Sequence, residues 1–413
     1  MAASVLIRMG VALLVFVLMA RGLGPAAFGL VTTIFAYATL GSLLTDFGFV
    51  SKTLRDIGAD PANGGNVLNA SLSVKLYLTI AVAAGGAVAI FFLPGDNVTR
   101  LSAGLLGLAI LVGAIGDLAL MAYRAIGRYS GETWLTVWTS TFHLVLVGWI
   151  SLAHWGLLAL AIAFVLSRTI YTALAIIGAE RLFTGCRLRL QPIGTVWVSI
   201  RGAFGWAADS GLGYLTGQID GLIVASAFGL QAAGIYQSGA RFIQAALGLV
   251  TILASIHIPR MAREASISRH LTVNERRMML EFTGVGVVMG LGFWLGGGLI
   301  TKFLLGPAYK EVNVLWPGLA VFVAIRYAAA SIGAALSARG MALSRVGGQI
   351  AALVVLGLGY LAFLPKAGLE ALPWLMCAGA VTTLIANMTS RILVARGLLG
   401  KPTNMAVAMD DKI

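Results

Sequence analysis

Twelve long stretches of this chain carry almost no charge, and each is near the ~20 residues a helix needs to cross a bilayer's hydrocarbon core. They lie near 4–21, 28–50, 68–93, 101–123, 133–153 and 155–178, then near 199–227, 235–259, 277–304, 313–338, 343–363 and 370–396. Of 413 residues, 59% are hydrophobic and 11% charged. A soluble domain could not hide that much apolar surface. The runs are continuous rather than alternating, so spanning helices are predicted and a membrane β-barrel is not. The expected fold class is an all-α integral membrane protein of twelve transmembrane helices.

Lys and Arg orient the spans. With the N-terminus inside, twenty of the 29 basic residues fall on the cytoplasmic side, including Arg55, Arg124, Arg128, Arg260, Arg276 and Arg277. Five fall outside (Arg21, Arg100, Lys302, Lys310, Lys366) and four within spans (Lys75, Arg168, Arg241, Arg326). This asymmetry places both termini in the cytoplasm. The net charge of +13 thus lines one membrane face, where anionic membrane lipids sit, which argues against nucleic acid. Cys186 lies in a loop and Cys377 in the last span, so no disulfide is expected. No small-x-small site follows the first apolar run, which is read as a retained anchor. The loops leave no room for a soluble catalytic domain. No metalloprotease, phosphate-loop, nucleophile-elbow or dithiol pattern occurs, and the four histidines (His143, His154, His257, His270) share no ligand spacing. No residue is assigned to catalysis, a metal or a cofactor.

The two halves repeat at an offset of 205 residues. Gly24 and Gly29 meet Gly229 and Gly234, Ala27 meets Ala232, and Arg55 meets Arg260. The offset lays six spans on six in the same orientation. The predicted organisation is a six-helix lobe at 1–179, a basic linker at 180–198, a second lobe at 199–397 and a polar tail at 398–413.

Residues seven apart lie about 20° apart around a helix, so such series mark one face. Helix two carries Thr32, Thr39, Ser42 and Asp46; helix eight carries Gln237, Arg241, Gln244, Thr251 and Ser255; helix seven carries Asp209, Thr216 and Asp220. At the repeat offset Thr32 meets Gln237, Thr39 meets Gln244 and Asp46 meets Thr251. Helices one, two, seven and eight are therefore the expected walls of a hydrated central cavity between the lobes. Arg168, Asp209, Asp220, Arg241 and Arg326 facing lipid would cost at least roughly 10 kcal/mol in total, so they are expected to face water, one another or an anionic ligand. Plainer readings stand beside this one. Asp46 is placed to pair with Lys52 or Arg55 at the interface, and Asp117 and Arg124 to do the same at their helix end. Lys75 is placed to snorkel to the surface, and Arg326 to pair with Asn387. Gly296, Gly297 and Gly298 read as packing or bending points.

Several short motifs resemble one family. Arg21-Gly22-Leu23-Gly24-Pro25, Phe28-Gly29 and Asp46-Phe47-Gly48-Phe49 look like the opening of bacterial polysaccharide-repeat-unit (Wzx-type) flippases. Gln218-Ile219-Asp220, Gly234-Ile235-Tyr236 and Leu305-Gly306-Pro307-Ala308-Tyr309 look like its second-half landmarks. The family belongs to the multidrug/oligosaccharidyl-lipid/polysaccharide exporter superfamily, with two six-helix lobes around a central cavity. The resemblance implies a non-enzymatic flippase in the bacterial cytoplasmic (inner) membrane. It would move undecaprenyl-diphosphate-linked oligosaccharide between leaflets by alternating access, alongside a polysaccharide polymerase and chain-length machinery. Arg8, Arg241 and Arg326 would then suit the diphosphate, and Thr32, Thr39, Gln237, Gln244 and Thr251 the sugars. Asp46, Asp209 and Asp220 are the candidate H+ or Na+ coupling sites. The alternatives are an ion-coupled multidrug antiporter of the same superfamily, which would want an acidic cavity, and a membrane polymerase or ligase, which would want a long outer loop.

Overall fold

In the computed structural model the first helix, α1 (Ala2–Asp46), includes a 42-residue apolar stretch, Val5–Asp46. Straight, that stretch would run about 63 Å, twice the hydrocarbon thickness. It does not run straight. Gly24 takes φ 74°, ψ 170°, a conformation strained for any residue with a Cβ, and the helix restarts at Pro25, whose missing N–H costs nothing at a helix start. The Phe16 and Phe35 rings on either side of the break pack edge-to-face at 6.2 Å, so the two arms fold back as a hairpin. The structure describes residues 2–92, 95–183, 191–265, 272–339 and 341–396. Cys186 and the tail from 397 onward lie outside them.

The remaining helices are α2 (Phe49–Ala59), α3 (Gly64–Ile90), α4 (Asn97–Ala125), α5 (Tyr129–Leu152), α6 (Gly156–Glu180), α7 (Ile193–Ala265), α8 (Val273–Leu299), α9 (Trp316–Ala338), α10 (Ala342–Ala367) and α11 (Leu372–Ala395). Among the described residues ten stretches are long and apolar enough to cross a membrane. One of the ten is Val5–Asp46, and another is Gly217–Ala254 within α7. The latter breaks at Gly229, with φ 83°, ψ 176° almost repeating Gly24. Counting each broken stretch as two arms gives the twelve crossings.

Helix two ends earlier than the predicted residue 50. Phe47 (φ 37°) and Gly48 (φ 76°) are both left-handed and stop α1 at Asp46. A separate amphipathic helix, α2, follows and carries Lys52, Arg55 and Asp56 away from the buried Phe49, Thr53 and Ile57. Helix eight runs past its predicted end at 259 to Ala265.

Contacts divide the chain into two compact units, Met1–Ser238 and Gly239–Ile413. In the first unit, Phe49 and Ile57 of α2 join Leu68 and Leu72 of α3, Leu118 and Ala122 of α4, and Ala175 and Ala179 of α6 in one core. Small residues let α4 and α6 touch closely: a Cβ at Gly116 would stand 2.7 Å from the Tyr171 ring. In the second unit the glycines of α8 do the same. Gly286 lies on Tyr327, Gly290 on the Ala320 carbonyl and Gly297 on the Trp316 ring, whereas Gly296 and Gly298 meet nothing within 4 Å. Glu275, at the start of α8, is clamped by Arg339 (2.8 Å) and by both Nε and Nη2 of Arg391. Beyond α8 the chain turns at Gly306-Pro307, and Tyr309 is buried there, with its phenol pKa pushed up by burial.

Candidate functional site

A cluster of ionised groups sits among the first six spans, assembled from four helices. Arg8, on the first arm of α1, donates from Nη2 to Asp117 Oδ1 of α4 at 3.0 Å, and Tyr171 Oη of α6 donates to the same oxygen at 2.7 Å. Arg168 stands one turn before Tyr171 on α6. Its stem lies across Gly113 of α4, where an added Cβ would come within 3.1 Å of Cδ. Close by, Lys75 of α3 pairs with Asp46 at the end of α1, and Lys75 is wholly buried. A lone charge at the bilayer centre costs about 2.5–3.5 kcal/mol on insertion scales, which explains why these groups seek one another. The cluster holds three cations (Arg8, Lys75, Arg168) and two carboxylates (Asp46, Asp117), so one positive charge is left over.

The Arg8–Asp117 pair has an informative exposure. Their side chains keep 37% and 41% of their surface accessible. By contrast the Arg124–Glu132 pair (2.6 Å) and the His143–Ser167 contact (2.7 Å) are closed off, with Glu132 and His143 buried.

The structure corrects several sequence expectations. Asp46 pairs with Lys75, not with Lys52 or Arg55, because the left-handed turn at Phe47-Gly48 carries those two away; both instead approach Asp56, at 3.1 and 3.5 Å. Lys75 does not snorkel. Asp117 is eight residues inside α4 and bridges three helices, while Arg124 takes Glu132. Asn387 donates its amide to the Ala329 carbonyl (3.2 Å) rather than pairing with Arg326.

The remaining candidates fall in different places. Thr32 is buried, with its hydroxyl donated to its own helix at the Phe28 and Gly29 carbonyls. Thr39 is half-buried. Asp220 is buried in the α7 hairpin, where it accepts from the Tyr236 hydroxyl across the Gly229 break. Gln237 is buried on Gly221, which has no side chain to obstruct it. In the second unit Arg241 donates to Gln244 Oε1 at 2.9 Å, one turn along the same arm. Arg326 is half-buried on α9. The side chains of Asp209 and Thr251 lie outside the described set.

Sequence reasoning misses the cluster as a unit. It treats Asp117 as a helix-end residue and does not set Arg168 and Tyr171 against it. The i, i+3 spacing of those two on α6 and the interior position of Asp117 are the signals that could have found it.

The two glycine breaks also meet within the first unit. A Cβ on Gly29 would fall 1.8 Å from the Leu230 carbonyl oxygen, and one on Gly234 would fall 1.9 Å from the Pro25 carbonyl oxygen. These contacts exchange under the 205-residue offset, so the crossing is a local two-fold.

Comparison with solved structures shows the fold: it is that of MATE transporters, with two lobes. An inward-facing multidrug-resistance MATE family transporter matches with a TM-score of 0.74 at 18% identity, covering 94% of this chain and 95% of its own. A MOP-superfamily transporter from Pyrococcus furiosus, described by a reverse polarity of its binding pocket that suggests a different function, matches at 0.68 and 17%, covering 96% and 95%. A eukaryotic MATE transporter, AtDTX14, matches at 0.63 and 16%, covering 96% and 95%. No curated protein sequence matches. Residues 18–314 match the profile of the polysaccharide biosynthesis protein family, and the chain belongs to that family.

Proposed function

We propose that this chain is a flippase that moves undecaprenyl-diphosphate-linked oligosaccharide repeat units from the inner to the outer leaflet of a bacterial cytoplasmic membrane. The observation that carries this reading is the excess cation in the cluster of Arg8, Lys75, Arg168, Asp46 and Asp117 among the first six spans, in a member of a polysaccharide biosynthesis family. A diphosphate head brings negative charge into a low-dielectric space and needs guanidinium or ammonium partners there. Arg8 in the first unit and Arg241 and Arg326 in the second are the proposed partners. Thr39 and Gln244 are suited to sugar hydroxyls. Asp46 and Asp220 are the proposed coupling sites, each already held by a neighbour that a proton or Na+ would displace. The lipid tail stays in the bilayer while the lobes alternate access. Both termini would lie in the cytoplasm, as the positive-inside asymmetry supports, and a polymerase with its chain-length machinery would take the product.

A multidrug antiporter is the second reading, favoured by the MATE neighbours. One experiment separates the two. The full-length protein is reconstituted in vesicles and given either a fluorescent undecaprenyl-diphosphate glycan or ethidium, each with and without a pH or Na+ gradient. Movement of the glycolipid without ethidium export is the expected result. Ethidium export alone overturns the proposal.

A further inference from the structure

We propose that Arg168 is an anion-binding residue of the first unit's ionic cluster, taking a phosphate oxygen pair beside Arg8. The inference rests on the flippase reading and adds a residue and a position to it. Arg8, Lys75 and Arg124 each have a carboxylate within 4 Å: Asp117, Asp46 and Glu132. Arg168 has neither a hydrogen bond nor an ion pair among the described residues, and its Nε is buried without a partner. The carboxylate whose field reaches it is Asp117, with Arg8 opposing. Asp117 takes Arg8 and Tyr171, both on Oδ1, and makes no bond to Arg168. A guanidinium in this setting is a costly group to leave unanswered. Its planar fork matches two phosphate oxygens, and one added negative charge neutralises the cluster. Gly113 shapes the seat, since any side chain there would lift the Arg168 stem off α4. The residue is half-buried, so part of its surface is open to a ligand.

The test uses full-length protein in phosphatidylcholine nanodiscs, with undecaprenyl diphosphate, undecaprenol and inorganic diphosphate as separate probes. Wild type is expected to prefer undecaprenyl diphosphate over undecaprenol. Arg168→Gln should weaken the diphosphate lipid by about ten- to a hundredfold and leave undecaprenol unchanged. Arg168→Lys keeps the charge but loses the fork, and should fall between; it also serves if the glutamine variant does not fold. Wild-type diphosphate affinity in either folded variant, with only a lowered melting temperature, overturns the assignment and makes Arg168 a structural cation. Inorganic diphosphate binding that Arg168→Gln abolishes, without any preference for the lipid, keeps the anion site and removes the flippase reading. A wild type that binds neither diphosphate overturns both.

Discussion

The two glycine-broken hairpins share one backbone and differ in what lies between their arms. At the first, Phe16 packs edge-to-face against Phe28 and Phe35, and Val15 and Val31 are buried. At the second, the equivalents of those aromatics are Gly221, Ala233 and Ala240, and the equivalents of the valines are Asp220 and Tyr236, which bond to each other. The first hairpin therefore has an apolar interior and sends its charges outward: Arg8 to α4 and Asp46 to α3. The second hairpin keeps Asp220 bonded between its own arms, and Arg241 bonds Gln244 along its second arm. Repeated geometry has been filled with opposite chemistry. The first hairpin is tied to its bundle by ion pairs, so the state of those pairs can bias where it sits. The second carries a bond between its own arms, and its second arm is held to its neighbours by the Tyr327 hydroxyl on the Ala246 carbonyl and by His257 on Glu281.

The sharpest way to break that contrast is to cut an outward tether. Removing one partner of a buried pair leaves the other charge stranded, at a cost of about 3–5 kcal/mol. Lys75→Met should therefore lower the thermal unfolding temperature of detergent-solubilised protein more than any single substitution within either hairpin that leaves Asp46 in place. The double variant Lys75→Met with Asp46→Leu should recover most of the loss, since well-packed apolar pairs replace buried ion pairs at little cost. A double variant as unstable as the single one would mean the pair is not the tether.

Next comes the crossing of the breaks. Gly29→Ala and Gly234→Ala each drive a Cβ onto a backbone carbonyl that cannot swing aside. Both should reach the upper end of the overpacking range of about 1–3 kcal/mol, and both should impair transport. The contacts are reciprocal, so the two losses should match. Clearly unequal melting shifts would show that the two-fold is only apparent.

The crossing also shows where sequence reading works and where it stops. The 205-residue offset and the glycines can be read directly, because a left-handed bend needs a residue without a Cβ and leaves that residue behind in the text. Span number and the even count follow from hydropathy, since lipid allows few other solutions. The ionic cluster is not legible. Asp117, Arg8 and Lys75 are distant in sequence, and only the tertiary path of α4 between α1 and α6 brings Arg8, Asp117 and Tyr171 together. Proximity in sequence misleads as well: Lys52 and Arg55 are nearer to Asp46 than Lys75 is, but two left-handed residues at Phe47-Gly48 turn them aside. The amphipathic α2 is hidden for the same reason, as its apolar residues look like a continuation of helix two.

The interior of the second hairpin offers a milder test. Tyr236→Phe removes a hydroxyl that donates to Asp220 and leaves that buried carboxylate with one donor fewer, which should cost about 1–2 kcal/mol. Phe16→Leu in the first hairpin loses two edge-to-face contacts at about 0.5–1.5 kcal/mol each. The two changes should be similar in stability and different in transport: Asp220 is a proposed coupling site, and Phe16 is packing. Equal transport defects in the reconstituted assay would place both hairpins in the same class.

The smallest expected effect comes from a brace on the first hairpin. His154, held at φ 54° beside the start of α6, bonds through Nδ1 to the Gly22 carbonyl at 2.8 Å, just before the break at Gly24. Gly22 itself is pressed so closely on Ser151 that a Cβ would lie 2.1 Å from the Ser151 oxygen. At the 205-residue offset Gly22 becomes Ala227, which is exposed, and His154 becomes Gly359, which has no ring to offer. His154 is exposed, so water competes for the bond, and His154→Ala should cost about 0.5 kcal/mol or less. The backbone of Gly22 stays pinned by Ser151 in that variant, which is why the hairpin should keep its angle. A His154→Ala protein that loses transport while its melting temperature hardly moves would show that the first hairpin is held by this single bond and not by its seat on α5. The ion-pair tethers would then have to be demoted to a secondary role.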